Sequence, residues 1–98
     1  MKIKKTLNNN ALTIAIDGRL ETTTAPELEA VIKGELGGIN DLTFDFSKLE
    51  YISSAGLRIL LTAQKTMNAQ GKMKVVGAND MVMEIFEITG FSDILTIE

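Results

Sequence analysis

The sequence predicts an α/β fold, a mixed sheet of four to five strands with helices packed on it, in the order β-β-α-β-α-β-α. Three observations lead to this prediction. The N-terminal part holds two alternating stretches separated by asparagines, which is typical of a hairpin. After it, strand-like stretches are interleaved with segments of helical periodicity, as in proteins with parallel strands. The chain has 98 residues, enough for one core, so we expect a single domain over residues 1–98.

The hairpin is predicted from period-two patterns on both sides of a turn. In residues 1–8 one alternating set is Ile3, Lys5 and Leu7, and the other is Lys2, Lys4 and Thr6. This pattern suits an edge strand with its lysines outward. The three asparagines at 8–10 supply the turn, because asparagine tolerates a positive φ. Residues 11–17 form the second strand, with three apolar side chains on one face: Leu12, Ile14 and Ile16. Asp17-Gly18 is then expected to form a turn.

The first helix is expected from about Pro26 to Leu36. A threonine followed by a proline near the first helical position is a good helix start. Residues at helical spacing form one apolar stripe that would face the core: Leu28, Val31, Ile32 and Leu36. Gly37-Gly38 ends the helix.

The stretch from Asp41 to Gln70 joins a strand to a helix. Apolar residues alternate with polar ones over residues 42–47, which predicts a strand that buries one face. From Leu57 onward the apolar spacing is helical, and Gly71 is a natural end for that helix. Residues 51–56, YISSAG, form a tight connection that brings two serine hydroxyls to the start of the helix.

The C-terminal part is predicted to contain a strand, a helix and a short final segment. Residues 72–76 are expected to be a parallel strand buried on both faces. A helix is expected over residues 80–89, capped at its start within the turn Gly77-Ala78-Asn79 and ended by Gly90. Its inward apolar side chains are expected to be Val82, Ile85, Phe86 and Ile88. Residues 94–97 form a last strand or a turn. Three apolar residues fall off the inward faces and are either part of an adaptable protein interface or scattered surface apolarity: Ile59, Met81 and Met83.

Composition excludes several classes of function. The chain has no cysteine and no histidine, which removes cysteine nucleophiles, Ser-His-Asp triads and histidine or thiolate metal sites. No apolar pocket for a catalytic carboxylate pair is evident, so we expect no enzyme, no metal and no cofactor. The net charge of −3, without a basic cluster, argues against nucleic acid as a partner. No apolar run could span a bilayer and no signal-peptide pattern is present, so we expect a cytoplasmic protein that does not bind membranes.

Ser53 and Ser54 have a structural and a functional interpretation. Either serine could simply cap the helix, since its side chain can accept a hydrogen bond from a free backbone N–H group. However, neither serine completes a capping box, and Gly56 in the first turn is unfavourable unless something approaches the backbone closely. A phosphate added at this position would meet free N–H groups and the positive end of the helix dipole.

Residues 45–57, DFSKLEYISSAGL, resemble the strand–loop–helix signature of the STAS domain family, and especially that of bacterial anti-sigma factor antagonists. Two further segments are similar to other patterns of the family. Residues 18–21, GRLE, resemble G-x-L-D, and residues 86–91, FEITGF, resemble the pattern at the end of the final helix. The resemblance spans nearly the whole chain. It implies a protein that binds an anti-sigma factor, releases the sigma factor and so regulates transcription.

The resemblance also implies a partner and a site. The anti-sigma factor is often a serine kinase that phosphorylates the antagonist and thereby ends the binding, and a metal-dependent serine phosphatase restores it. The acceptor corresponds to Ser54, with Ser53 as the alternative, and we expect the protein to be a monomer. Arg58 either contacts a phosphate or a partner carboxylate or is simply solvated. The residues expected to bind the partner are Glu21, Thr22, Thr23, Ser53, Ser54, Ala55, Gly56, Arg58 and Ile59.

Two positions depart from the family pattern. Ser53 stands where the family usually has aspartate, which adds a competing acceptor and removes a charge that a kinase could read. Glu21 stands where aspartate is commoner, so its carboxylate lies one methylene further out. Either change is compatible with an altered kinase or with a domain that is not phosphorylated. The alternative function is therefore a non-enzymatic subunit of the same fold, docked on the ATPase of a lipid or anion transporter.

Overall fold

The computed structural model describes residues 1–98 and contains four strands, three α-helices and one 3-10 turn. In chain order they are β1 (Lys2–Asn8), β2 (Ala11–Leu20), α1 (Ala25–Glu35), β3 (Asp41–Ile52), α2 (Ser54–Gln70), β4 (Lys72–Val76), α3 (Asp80–Thr89) and the turn Phe91–Asp93. This order confirms the predicted α/β fold and its β-β-α-β-α-β-α sequence of elements. The first and last helices, α1 and α3, begin and end within one residue of their predicted limits.

The strands form one mixed sheet in the order β1-β2-β3-β4. The hairpin strands β1 and β2 are antiparallel, whereas β2, β3 and β4 are parallel to one another. The predicted final strand is reduced to a single bridge between Ile97 and Val75, which lays the C-terminal segment alongside β4. The sheet thus has four strands, the lower of the two predicted numbers.

The sheet buries one face only. The buried face carries alternate residues of the three parallel strands: Leu12, Ile14, Ile16, Leu42, Phe44, Phe46, Met73 and Val75. These side chains form one core with helix residues such as Leu28, Leu60 and Phe86, so the helices cover this face. The other face stays partly open, and Lys74 and Val76 are only half-buried there. The prediction that residues 72–76 are buried on both faces is therefore wrong.

Irregularities in the pairing of β2 with β3 decide where both strands end. The register shifts between Ala15 and Asp17 and again after Gly18. Gly18 has a φ of 114° within β2 and does not form the predicted turn. Both strands continue past the irregular segment, and Leu20 pairs with Ile52 at their common end. This extension places the start of α2 beside the end of β2.

Capping residues fix the ends of the last helix as predicted. The Asn79 side-chain oxygen accepts a hydrogen bond from the Val82 N–H at 2.8 Å, and its amide donates to the Leu49 carbonyl at 3.0 Å. Gly90 ends α3 in the left-handed conformation, with a φ of 82°. Ile88, in contrast, is 77% exposed, so its predicted inward position is wrong. It follows Phe86 by two residues, or about 200° around the helix, which turns it away from the core.

None of the helices is both long enough and apolar enough to cross a membrane.

Candidate functional site

The candidate site is the start of α2, where the chain leaves β3. Ser53 is the N-cap residue, with an extended backbone, and its carbonyl accepts the N–H of Leu57 at 2.9 Å. The Ser53 side chain makes no capping hydrogen bond, so this serine does not act as a side-chain cap of α2 in the structure. The first N–H groups of α2 are therefore left without a side-chain cap, at the positive end of the helix dipole.

The two serines differ sharply in accessibility. Ser54 is the first residue of α2 and is exposed. Ser53 is only half-buried as a residue, but its hydroxyl oxygen is fully enclosed and has no hydrogen-bond partner. A group can be added to the Ser54 hydroxyl from solvent, whereas the Ser53 hydroxyl must first rotate or the loop must open.

Gly56 allows α2 to dock closely on the strand ends. A Cβ atom at this position would lie 2.7 Å from Cγ of Leu20 and 2.8 Å from Cγ1 of Ile52. Both atoms belong to fully buried side chains and have little freedom to move. The close approach expected from the sequence is thus made by the protein's own core, and Gly56 is a buried packing position.

Ile59 is also buried, at 6% exposure, so the prediction that it lies off the inward face of its helix is wrong. The reason is that α2 packs on β3, β4 and α1 at once, and its buried face is wider than a single stripe. The buried residues of α2 are Gly56, Leu57, Ile59, Leu60, Ala63, Gln64 and Met67. Of the two methionines predicted to lie outward, Met81 is 55% exposed, and Met83 is half-buried against the core.

The end of β2 forms the second part of the site. The Ser53 N–H donates to the Leu20 carbonyl at 2.9 Å, which ties the start of α2 to this strand. Next to Leu20, the Glu21 carboxylate accepts a hydrogen bond from Nε of Arg19 at 2.9 Å. The Arg19 guanidinium also lies over the ring of Tyr51, 4.6 Å from its centre. The structure therefore brings Glu21 close to the connection that carries the serines.

Arg19 and Tyr51 were not predicted as site residues. Their proximity depends on the shifted register of β2 against β3, which pairs Arg19 with Tyr51. A sequence signal existed, since an arginine and a tyrosine stand at the ends of two strands expected to be neighbours. The irregular register, however, cannot be read from the alternation of apolar residues.

A threonine holds the loop between β2 and α1. The Thr24 hydroxyl accepts the Glu21 N–H at 2.9 Å and donates to the Arg19 carbonyl at 2.8 Å. This turn presents Thr22 and Thr23 to solvent. The two threonines and the exposed part of α2 are thus supported by fixed backbone.

The Asp45–Ser47 segment shapes β3 before it reaches the site. The Ser47 backbone N–H donates a hydrogen bond of 3.0 Å to the Asp45 carboxylate. Hydrogen bonding by Ser47 holds the pKa of Asp45 below its ordinary value. On the other side of this segment, a Cβ at Gly77 would come within 2.9 Å of the Ser47 nitrogen. The segment is thus held by the Asp45 carboxylate and by close packing against Gly77, at the point where the register of β3 against β2 is irregular.

The family model that matches the chain is that of the STAS domain, and the match covers residues 2–98. The chain belongs to the STAS domain family. One relative of this STAS domain is BtrV of Bordetella bronchiseptica, which is named as a candidate anti-sigma factor antagonist. The two sequences are 32% identical over 99 residues, which cover 99% of this chain and 85% of BtrV. The anti-sigma-B factor antagonist of Staphylococcus aureus is 27% identical over 99 residues, covering 99% of this chain and 92% of its own length. The structure of Bacillus SpoIIAA in its phosphorylated form has the same fold, with a TM-score of 0.78 at 15% identity, covering 99% of this chain and 91% of that one.

The residues predicted to bind a partner fall into three groups in this STAS domain. Four are exposed: Thr22, Thr23, Ser54 and Arg58. Three are partly exposed: Glu21, Ser53 and Ala55. Gly56 and Ile59 are buried and shape the surface without forming it. Arg58 forms no ion pair within the chain, so its charge is free to meet a phosphate or a carboxylate.

A surface depression on the STAS domain does not include the candidate site. It measures about 730 Å³ and lies on the open side of the sheet, where its lining includes Lys4, Asp45 and Lys48. Neither serine belongs to it. The candidate site is instead an accessible surface made of a helix start and a neighbouring loop, the kind of surface that contacts another protein rather than enclosing a small molecule.

Proposed function

We propose that this STAS domain is an anti-sigma factor antagonist, which binds an anti-sigma factor when unphosphorylated and is released when Ser54 is phosphorylated. The observation that carries the proposal is the position of Ser54, exposed as the first residue of α2 on a rigidly held helix start. The names of the Bordetella and Staphylococcus relatives support the same role. We propose that residues 1–98 act as one unit in the cytoplasm.

Accessibility favours Ser54 over Ser53 as the acceptor. A kinase must bring the γ-phosphate in line with an accessible hydroxyl oxygen. The Ser54 residue is exposed, while the Ser53 oxygen is enclosed.

The fold can carry a phosphate at Ser54 without unfolding. The group would carry a charge of about −1.5 to −2 at neutral pH and would sit beside uncapped N–H groups and the positive end of the helix dipole. The helix start is held independently, by the bond from Ser53 to the Leu20 carbonyl and by the packing of Gly56 against Leu20 and Ile52. Phosphorylation therefore changes the charge of a surface while its shape is kept.

The charge is large enough to release a partner. At about 6 Å from a partner carboxylate and an effective dielectric constant of about 20, each unit of charge adds about 2.8 kcal/mol of repulsion. The helix dipole offsets only about 0.3–1 kcal/mol per charge and does so in the free protein as well. A fall in affinity of a hundredfold or more, which corresponds to about 2.7 kcal/mol, follows from one phosphate.

The partner set follows from this mechanism. The anti-sigma factor is proposed to be the serine kinase as well, and a serine phosphatase returns the protein to its binding form. The contact surface is proposed to consist of the accessible residues around Ser54, including Thr22, Thr23 and Arg58, with Glu21 and Ala55 at its edge. The antagonist needs no catalytic residue and no cofactor of its own in this scheme, because the kinase supplies the chemistry.

The proposal is tested with the Ser54→Ala variant and its matched control Ser53→Ala. Each protein is mixed with the anti-sigma factor kinase of its own cell and ATP; phosphate uptake is followed by mass spectrometry and binding by calorimetry. We expect Ser54→Ala to bind the kinase and take up no phosphate. Ser53→Ala should be phosphorylated like the wild type and then lose at least about a hundredfold in affinity.

Two outcomes would contradict the proposal. Full phosphorylation of Ser54→Ala would move the acceptor to another residue. A protein that carries no phosphate when purified from its own cell, and that co-elutes with a membrane ATPase, would point to the transporter-subunit role instead.

A further inference from the structure

The C-terminal part of the chain carries most of the exposed apolar surface. Four large apolar side chains are exposed in the whole protein, and three of them lie between residues 81 and 94: Met81 at 55%, Ile88 at 77% and Ile94 at 47%. Large side chains that stay exposed together mark an interaction surface more often than single scattered ones do. None of these residues belongs to the Ser54 surface.

The exposed side of α3 consists of two parallel stripes. Met81, Ile85 and Ile88 follow the spacing i, i+4, i+7 and form an apolar stripe, in which Ile85 is half-buried. Asp80, Glu84 and Glu87 follow the same spacing one residue earlier and form an acidic stripe beside it. Val82 and Phe86 are the fully buried residues of α3, and Met83 and Ile85 pack against the core in part.

The charge of this region is unbalanced. Residues 75–98 contain five carboxylates and no lysine or arginine, so their net charge is −5, while residues 1–74 carry +2 of the total of −3. Asp80, Glu84, Glu87 and Asp93 take part in no ion pair within the chain. Four uncompensated carboxylates next to exposed apolar side chains form a surface that lacks a cationic counterpart.

We infer that the outer side of α3, followed in the chain by Asp93 and Ile94, binds an amphipathic helix of a partner protein, whose apolar side chains are flanked by lysine or arginine. The apolar stripe from Met81 to Ile88 is about 10 Å long, which matches about two turns of a facing helix. Its acidic neighbours would pair with the basic flank, set the direction of the helix and speed its association. The residues of this surface are different from those around Ser54, so the inference does not depend on the proposed function.

The charge pattern selects this occupant over two others. A second copy packed α3 against α3 would bring two acidic stripes together, which is repulsive. An anionic membrane surface would be repelled by the same carboxylates. Only an occupant with positive charge beside an apolar face complements both stripes.

The test uses the full chain labelled with ¹⁵N and a synthetic helical peptide with leucines on one face and lysines on both sides of it. A twin peptide with glutamates in place of the lysines is the control for apolar contact alone. We expect chemical-shift changes confined to residues 80–94 with the lysine peptide, affinity that falls as salt is raised, and no saturable binding of the glutamate twin.

Two variants and a matched control locate the surface. Glu84→Lys/Glu87→Lys and Ile88→Ser should each weaken binding of the lysine peptide at least about tenfold. Glu27→Lys/Glu29→Lys makes the same change of net charge at exposed positions of α1 and should change the affinity less than about twofold. Circular dichroism melting checks that all the variants are folded.

If the α3 and α1 charge variants lost the same affinity for the lysine peptide, the effect would be one of overall charge, which would overturn the inference. So would shifts centred outside residues 80–94, or sedimentation that shows the chain pairing with itself through α3.

Discussion

At the scale of single residues, the site depends on positions whose side chains are small or shielded. Ser54 is accessible because it follows the N-cap directly, while the oxygen of Ser53 is enclosed. Gly56 is required by packing, and Asp45 by the shape of β3. Two of these roles can be tested without knowing any partner.

The packing role of Gly56 predicts that Gly56→Ala destabilises the protein. The added methyl would be forced against Leu20 and Ile52, at 2.7 and 2.8 Å, which costs about 1–3 kcal/mol in a well-packed core. The higher helix propensity of alanine offsets at most about 1 kcal/mol of this cost. Urea unfolding measures the difference.

Gly34→Ala is the matched control for this prediction. Gly34 also lies in a helix, and a Cβ there would meet nothing within 4 Å. Alanine should therefore raise the free energy of unfolding by about 0.5–1 kcal/mol. Equal stabilisation by both substitutions would show that Gly56 is not a packing position.

The lowered pKa of Asp45 predicts a defined pH dependence. Because the folded-state pKa lies below the unfolded one, the carboxylate adds stability above the unfolded pKa, near 4, and this stability is lost as the pH falls towards the folded pKa. Asp45→Ala should lower the free energy of unfolding by about 1–2 kcal/mol at pH 7. The difference from the wild type should shrink between about pH 5 and 2.

Asp45→Asn separates charge from hydrogen bonding in the same experiment. Its side-chain oxygen can still accept the Ser47 N–H, so it should lose less stability at pH 7 than the alanine variant. Since neither side chain ionises, both variants should show the same reduced pH dependence. If either variant kept the wild-type pH dependence of the free energy of unfolding between pH 5 and 2, Asp45 would not be the source of that dependence.

At the scale of elements, the starts of α2 and α3 are held in different ways. The start of α2 is held by packing and by the Ser53 to Leu20 hydrogen bond, with no side-chain cap. The start of α3 is held by Asn79, which caps the helix and also bonds to Leu49 of β3. The uncapped helix is the one that carries the proposed phosphoacceptor, and the capped one carries the proposed docking surface.

The double role of Asn79 predicts that Asn79→Ala lowers the free energy of unfolding by about 1–2 kcal/mol, since a helix cap and a bond to the neighbouring strand are both lost. Asn79→Ser is the matched control. Its hydroxyl can still cap the helix but is too short to replace the amide at Leu49, so it should lose less. Thermal and urea unfolding measure both variants, and an unchanged stability of the alanine variant would contradict the assignment.

At the scale of the whole molecule, the architecture separates support from recognition. The helices and one face of the sheet form a single core, and the proposed phosphorylation surface lies at the ends of β2 and β3. The proposed α3 surface belongs to another part of the chain, where the charge is most negative. A phosphate at Ser54 would therefore change one surface while leaving the other available.

The sequence predicted those features that depend on neighbouring residues. Helix α3 was located to the residue because Asn79 and Gly90 are strong boundary signals, and the Asn9 turn was expected from the tolerance of asparagine for positive φ, here 56°. The apolar faces of β2 and β3 were read from their alternation. The signature around Ser54 identified the family.

Other features were out of reach because they depend on packing at a distance. Alternation stops after Ser47, so the extension of β3 to Ile52 and the pairing of Arg19 with Tyr51 could not be foreseen. The sequence pattern places Ile59 off the inward face of α2, because its burial depends on three neighbouring elements. The pattern places Ile88 on the inward face of α3, but that helix is covered on one side only.

The order of elements, the apolar faces of β2 and β3, the family and the two serines at a helix start follow from local features of the chain, namely periodicity, caps and signatures. Packing of the folded chain sets which of the two serines is exposed, that Gly56 and Ile59 are buried, and which apolar side chains of α3 stay uncovered. These depend on which surfaces of distant segments meet, and that is set when the helices dock on the sheet.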